Sequence, residues 1–388
     1  MAKANKAGRN TRLVHNGFGI DPGTGALSVP LIHASTFAQD SADHFGKYDY
    51  SRSGNPTREA LETIIAELES GTHGYAFASG MAAISSVLMI FSPGDHIVVC
   101  EDVYGGTWRV LTGLLSRFGI EATFADATSV EAFEAAIKPN TKAFYLETPS
   151  NPLMKITDLK AMANLAKEHE LITIVDNTFM SPYLQRPIEL GCDIVVHSGT
   201  KFINGHSDVL CGFAVTADKD LAKRIKYIQN AVGAVLPPND CWLVIRGLKT
   251  LGVRMEAGQR SAGIIAEELS KHPKIKKVYY PGLESHPGYG INKKQSDGAG
   301  AVLSFELETA DLAHKLLENA KYAAFAVSLG GVESIISYPA KMSHAAMPPA
   351  ERAARGISDS LVRLSLGVED TKDILNDILE IIELYGGK

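Results

Sequence analysis

The chain has 388 residues, 45% of them hydrophobic, which is enough to bury a large core and build two domains. A formal net charge of −6 argues against nucleic acid or an anionic membrane surface as the main partner. No apolar run approaches a membrane span and no leader pattern opens the chain, so the cytoplasm is the expected compartment.

Residues 1–52 have little periodicity and carry turn formers such as Asp21-Pro-Gly-Thr-Gly25. They read as an arm that cannot build its own core and must lie over something else. A strand-like run begins at Tyr75, turns at Ser79-Gly80 and continues with helical spacing. Further apolar strands are expected at 96–100, 142–146, 171–175, 193–196 and 212–215, with helical stretches between them. This alternation predicts an α/β unit over 53–252 built on a doubly wound, mostly parallel sheet. One long amphipathic helix over about 241–271 should lead onward. Strand candidates at 301–307, 333–338 and 361–366 and a helix near 374–385 then predict a smaller α+β unit over 253–388.

Four cysteines (Cys100, Cys192, Cys211, Cys241) have no paired spacing, and all but Cys241 border strand-like runs, so buried free thiols are expected. Twelve dispersed histidines offer no metal-binding spacing, and neither a phosphate-binding Gly-rich loop with its lysine nor Gly-x-Gly-x-x-Gly after a strand occurs. Electrophilic chemistry would have to come from an organic cofactor or from side chains alone.

The segment Asp193-Ile-Val-Val-His-Ser-Gly-Thr-Lys201 points to such a cofactor. A buried strand stops at a small polar turn, and Lys201 follows where ligands usually sit at an open α/β sheet. Ser198 and Thr200 supply hydroxyls of the kind that hold a phosphate. A primary amine beside a phosphate seat suits a Schiff base with pyridoxal 5'-phosphate. Spacing alone also fits a surface lysine after a strand. Asp176 ends another apolar strand and can occupy the same sheet edge, as the anionic partner of a pyridinium nitrogen or as a helix N-cap. A helix opening at Gly80-Met81 would aim free N–H groups outward as an anion seat, with Gly80 allowing close approach.

Together these residues resemble the Cys/Met-metabolism family of pyridoxal-phosphate enzymes, which includes cystathionine β- and γ-lyases, cystathionine γ-synthases and methionine γ-lyases. The resemblance spans nearly the whole chain. It runs through Tyr48-Asp-Tyr-Ser-Arg-Ser-Gly-Asn-Pro-Thr57, Ser79-Gly-Met81, Asp102-Val-Tyr-Gly-Gly-Thr107 and Glu147-Thr-Pro-Ser-Asn-Pro152. It continues through Val175-Asp-Asn-Thr178, Ser198-Gly-Thr-Lys201, Ser328-Leu-Gly-Gly331 and Leu361-Val-Arg-Leu-Ser-Leu-Gly367. It implies the aminotransferase-type fold (fold type I) in the same three parts.

The resemblance also implies roles. Lys201 would hold the cofactor covalently and shuttle protons, Tyr104 would stack on its ring, and Asp176 would pair with its nitrogen. Gly80, Met81, Ser198 and Thr200 would hold the phosphate. Arg363 would clamp the substrate carboxylate, helped by Asn151 and Ser328; from the residues alone, an Arg in an apolar strand needs an anion that could equally be a structural Asp or Glu. Tyr50 and Arg52 would reach a neighbouring subunit's cofactor, making a homo-oligomer with shared sites, a dimer of dimers. Arg109 matches a position that meets the distal carboxylate of cystathionine-type substrates. Gly106 stands where methionine γ-lyases carry a Cys, and Val327 where cystathionine γ-lyases and γ-synthases commonly carry a Glu. The implied activity is a carbon–sulfur lyase acting on cystathionine and related sulfur amino acids, with γ-synthase-type replacement or methionine γ-lyase activity as alternatives.

Overall fold

A computed structural model describes residues 7–15, 20–343, 345 and 349–387. The first sheet has seven strands: β1 (His73–Phe77), β2 (His96–Cys100), β3 (Glu121–Ala125), β4 (Thr141–Glu147), β5 (Ile172–Asp176), β6 (Ile194–Ser198) and β7 (Gly212–Thr216). Their order is β1-β7-β6-β5-β4-β2-β3. Only β7 runs against the others. The central strands are mostly apolar and buried, as expected where helices cover both faces. The expected doubly wound, mostly parallel α/β fold is what forms, and it places the ends of β4, β5 and β6 along one edge.

Helix α1 (Arg9–His15) belongs to the arm and packs against the long helix Leu251–Lys271. Helix α2 (Pro56–Leu68) starts at Asn55, whose side chain caps the Thr57 and Arg58 amides. Helix α3 (Gly80–Leu88) starts at Ser79, and α4 (Gly105–Arg109) follows β2.

The second sheet holds β8 (Ile275–Tyr279), β9 (Val302–Leu307), β10 (Ala324–Phe325), β11 (Ile335–Ser337) and β12 (Leu361–Ser365) in the order β10-β11-β12-β9-β8. All its pairings are antiparallel except β10 with β11. The terminal helix Thr371–Tyr385 packs its Ile374, Ile378 and Ile382 into the core of this sheet.

One expectation is corrected. The single helix foreseen over 241–271 is two, Pro238–Leu248 and Leu251–Lys271, broken at Lys249-Thr250. The buried Arg254 accounts for the break. Its guanidinium donates to the Gly247 carbonyl at the end of the first helix, and to the Phe202 and Ile203 carbonyls just after Lys201. A straight helix would satisfy Gly247 internally and cost this cation one of its partners. The break therefore supports the loop that carries Lys201. The expected boundary at 252 falls inside the second helix: Leu251 and Met255 pack with the first unit, while Ala262, Ile265 and Leu269 pack with the second.

Candidate active site

The chain passes from Ser198 at the end of β6 into a tight turn. The Lys201 amide donates to the Ser198 carbonyl at 3.2 Å. Thr200 closes the turn against β7, its hydroxyl accepting from the Cys211 amide at 2.9 Å and donating to the Cys211 carbonyl at 3.2 Å. Gly199 is required here, because a Cβ would lie 2.2 Å from the Phe213 ring. The turn aims Lys201 Nζ at Ser328 Oγ, 2.5 Å away. Burial, and then the Arg363 charge, lower the Lys201 amine from its usual range to about 8.

Asp176 ends β5 beside it. Its Oδ1 accepts from the Thr178 amide at 3.0 Å and the Thr178 hydroxyl at 2.5 Å. The helix N-cap alternative does not apply: the next helix, Ser181–Leu184, begins beyond these bonds and is capped at Met180. Burial raises the Asp176 carboxyl, and the two Thr178 donors oppose that rise.

Ser79 caps α3 by accepting the Ala82 amide at 3.0 Å, and its carbonyl takes the Ala83 amide. The earlier amides, of Gly80 and Met81, have no partner within the helix and open to the crevice. A Cβ on Gly80 would meet Ser198 Cβ at 2.7 Å, and one on Gly212 would meet the Ser79 carbonyl at 2.1 Å. Two glycines thus bring α3, β6 and β7 close enough to form a narrow anion seat.

Arg363 lies on β12 and is almost fully buried. Its Nη1 donates to Asn151 Oδ1 and its Nη2 to the Ser328 carbonyl, both at 2.9 Å. Its Nε is buried without a hydrogen-bond partner. No carboxylate of the described residues forms an ion pair with it, so the structural Asp or Glu left open by the sequence is absent. Burial lowers its pKa to about 10. A buried guanidinium held by neutral oxygens is a receptor for an anion brought by a ligand.

These groups line one cavity of about 470 Å³ at the carboxyl edge of the sheet. Gly80, Met81, Tyr104, Asn151, Asp176, Ser198, Thr200, Lys201, Val327, Ser328 and Arg363 all face it. Three expected residues do not. Tyr50 and Arg52 are exposed, with the Arg52 guanidinium over the Tyr50 ring and donating to the Asn230 carbonyl of the same chain. Arg109 is exposed at the end of α4, outside the lining.

Two features escaped the sequence reading. Glu147 ends β4 within the cavity and accepts the Tyr104 amide at 2.8 Å. The signal was present, since an acid closing an apolar strand is what singled out Asp176. Leu210 and Met342 add an apolar rim, which no local pattern marks.

The donor set fits pyridoxal phosphate: an amine of lowered pKa, a buried carboxyl, an amide seat that a Cβ would fill, and a guanidinium with an unpaired buried Nε. Residues 10–383 match the family of Cys/Met metabolism PLP-dependent enzymes. The chain belongs to that family. Pyridoxal phosphate is its cofactor. A cystathionine beta-lyase of Bacillus subtilis is 59% identical over 96% of each chain. A cystathionine gamma-lyase of the same organism is 51% identical over 97% of this chain and 99% of its own. The crystal structure of a cystathionine gamma-lyase from Lactobacillus plantarum complexed with L-serine superposes with a TM-score of 0.95 at 48% identity, covering 97% of this chain and 99% of that one.

Proposed function

We propose that this crevice performs the carbon–sulfur lyase reaction of the enzyme on cystathionine and related sulfur amino acids. One observation carries the reading. Lys201 Nζ and Arg363 Nη2 converge on the same residue, Ser328, at its Oγ and its carbonyl. An α-amino acid whose carboxylate sits on Arg363 therefore presents its Cα to Lys201.

When bound, pyridoxal phosphate would withdraw electrons from that Cα. Gly80, Met81, Ser198 and Thr200 would seat its phosphate, and Asp176 would hold a proton on its ring nitrogen. Lys201 would take the Cα proton on Nζ, which must be neutral to do so; a pKa near 8 keeps that form accessible. The same amine would return a proton to the departing sulfur or, for γ-cleavage, to the carbon chain. Tyr104 would cover the ring. Its turn is pinned to β4 through Glu147. In β-cleavage the Cβ–S bond breaks, and cystathionine with one water gives pyruvate, ammonia and homocysteine. In γ-cleavage the Cγ–S bond breaks, and cystathionine with one water gives 2-oxobutanoate, ammonia and cysteine.

Val327, 67% exposed at the mouth, and Leu210 make the outer wall apolar. That wall supports a lyase accepting several sulfur amino acids rather than one restricted to substrates with a second ammonium. We further propose residues 53–252 as the cofactor-binding unit and a cytoplasmic dimer of dimers, in which Tyr50 and Arg52 complete a neighbouring site. Their exposure outside their own crevice supports this. Among the described residues no helix is long and apolar enough to cross a membrane.

Supplying cystathionine to the loaded enzyme and quantifying both keto acids tests the reading. Pyruvate or 2-oxobutanoate should appear in step with ammonia. A second reading, γ-replacement, is favoured by a TM-score of 0.94 to a cystathionine gamma synthase of Xanthomonas oryzae pv. oryzae, 43% identical over 97% of this chain and 98% of that one. It predicts that an activated homoserine ester with cysteine turns over faster than cystathionine, and with no keto acid from cystathionine the lyase reading fails.

A further inference from the structure

We propose that Glu147 is a positioning residue held as a neutral carboxylic acid, so that Asp176 is the single anionic carboxylate at the back of the crevice. The inference rests on the reading of this crevice as the cofactor site. Its core, the location of one proton, can be measured independently of that reading.

Glu147 and Asp176 are direct register partners at the ends of β4 and β5. Neighbouring strands lie about 4.8 Å apart, and residues opposite one another in a parallel pair extend to the same face. Both residues are 6% exposed and both line the cavity. Two carboxylates so close and so poorly hydrated cannot both ionise near neutral pH, so one keeps a proton.

The hydrogen bonds decide which. Asp176 Oδ1 receives two donors, the amide and hydroxyl of Thr178, which stabilise a carboxylate. Glu147 receives backbone amides alone, that of Tyr104 at its Oε2 and that of Asn151, and no hydroxyl. The nearby cations donate no hydrogen bond to Glu147. Arg363 is bonded to Asn151 and Ser328. Lys155 pairs with Asp102 at 2.8 Å and Glu101 at 3.0 Å. The remaining titratable groups facing Glu147 are Asp102 and Cys100, from the β2 side, and Tyr145 on β4, and none of them supplies a positive charge. Burial, and next the Asp176 charge, push the Glu147 carboxyl well above its usual range, with the Tyr104 and Asn151 amides opposing.

The consequence is local. A neutral Glu147 fastens the Tyr104 turn to β4 without adding charge beside Arg363. Only one negative charge, on Asp176, then faces the position of a pyridinium nitrogen. An ionised Glu147 would compete with Asp176 for that proton and draw Arg363 away from a substrate carboxylate.

Infrared spectroscopy locates the proton, because a protonated carboxyl absorbs above the amide bands and shifts in D2O. Spectra are recorded for wild type, Glu147→Gln and Asp176→Asn at pH 7.5, with and without cofactor. The inference expects a D2O-sensitive carboxyl band in wild type that is missing in Glu147→Gln and kept in Asp176→Asn. It is overturned if wild type has no such band, or if the band survives in Glu147→Gln and disappears in Asp176→Asn. Wild type carrying glutamate labelled with 13C at its side-chain carboxyl is a check that needs no folded variant: the band must shift on that labelling, and a band that does not shift overturns the inference. Because the cofactor-free protein is also measured, a misplaced proton and a misread cofactor site give different results.

Discussion

The proposed chemistry turns on Lys201, and the ionisation of this residue is open to measurement. A neutral amine attacks the cofactor aldehyde, whereas an ammonium does not. With the pKa lowered to about 8 from the usual 10.5 by burial and the nearby Arg363 charge, the attacking form is scarce below pH 7 and complete above pH 9. The rate at which cofactor-free enzyme captures pyridoxal phosphate should therefore rise with pH and level off, with a midpoint near 8 in stopped-flow absorbance. Arg363→Gln removes the second cause of the shift, so the midpoint should move upward. A wild-type midpoint at ordinary lysine values would mean that Nζ is not in the environment described. At this scale much was legible. Lys201, Asp176, Gly80 and Ser198 each stand where an apolar strand stops, and a strand end is visible without knowing its neighbours. Glu147 has the same signature, yet its meaning depends on its register partner across β4 and β5, which one strand's sequence does not reveal. Tyr50, Arg52 and Arg109 came from resemblance alone, and none reaches the crevice of its own chain.

Helix α3 has to approach the sheet closely for its first amides to face the crevice. Gly80→Ala places a methyl 2.7 Å from Ser198 Cβ, and either the helix start or the Lys201 turn must shift. Overpacking of this kind costs about 1–3 kcal/mol. Cofactor affinity should fall at least tenfold, corresponding to about 1.4 kcal/mol, as read by equilibrium dialysis. Gly113→Ala is the control, because a Cβ there meets nothing within 4 Å, and its affinity should equal that of wild type. Equal affinity for both variants would remove Gly80 from the phosphate seat. Strands with continuous apolar runs were legible: β2 falls where expected, and β4, β5, β6 and β7 fall within a residue or two. Three were not. β3 reads Glu-Ala-Thr-Phe-Ala, a half-buried edge strand without a full apolar stripe, β8 carries Lys276 and Lys277 at the edge of its sheet, and β10 is only two residues long. The break at Lys249-Thr250 was hidden because Arg254 takes its partners from 202–203, far away in the chain.

The whole molecule poses the question of the arm. Leu13 and Val29 anchor it in the core, while Leu27, Phe45 and Tyr50 are exposed apolar side chains. Such surface on an arm that cannot fold alone points to a partner copy. If Arg52 completes a neighbour's site, Arg52→Ala and Lys201→Ala homo-oligomers should each be weak or dead. Subunits exchanged between them should then regain activity, because a mixed dimer holds one site with both residues native. At best about a quarter of wild-type activity is expected, since half the dimers in an equal mixture are mixed and each has one intact site of two. No recovery after verified exchange would assign Arg52 to its own chain. In the sequence, helix and strand periods alternate over 53–252 and then change, while the helix Leu251–Lys271 packs into the cores of both sheets.

The central claim is that the chemistry of this enzyme is anchored at Lys201, at the end of β6. Borohydride reduction of the loaded enzyme, followed by proteolysis and mass mapping, tests it most directly. Reduction should fix one cofactor per chain on the peptide containing Lys201, with none on Lys155, which pairs with Glu101 and the buried Asp102. A reduced adduct on any lysine other than Lys201 would contradict the account.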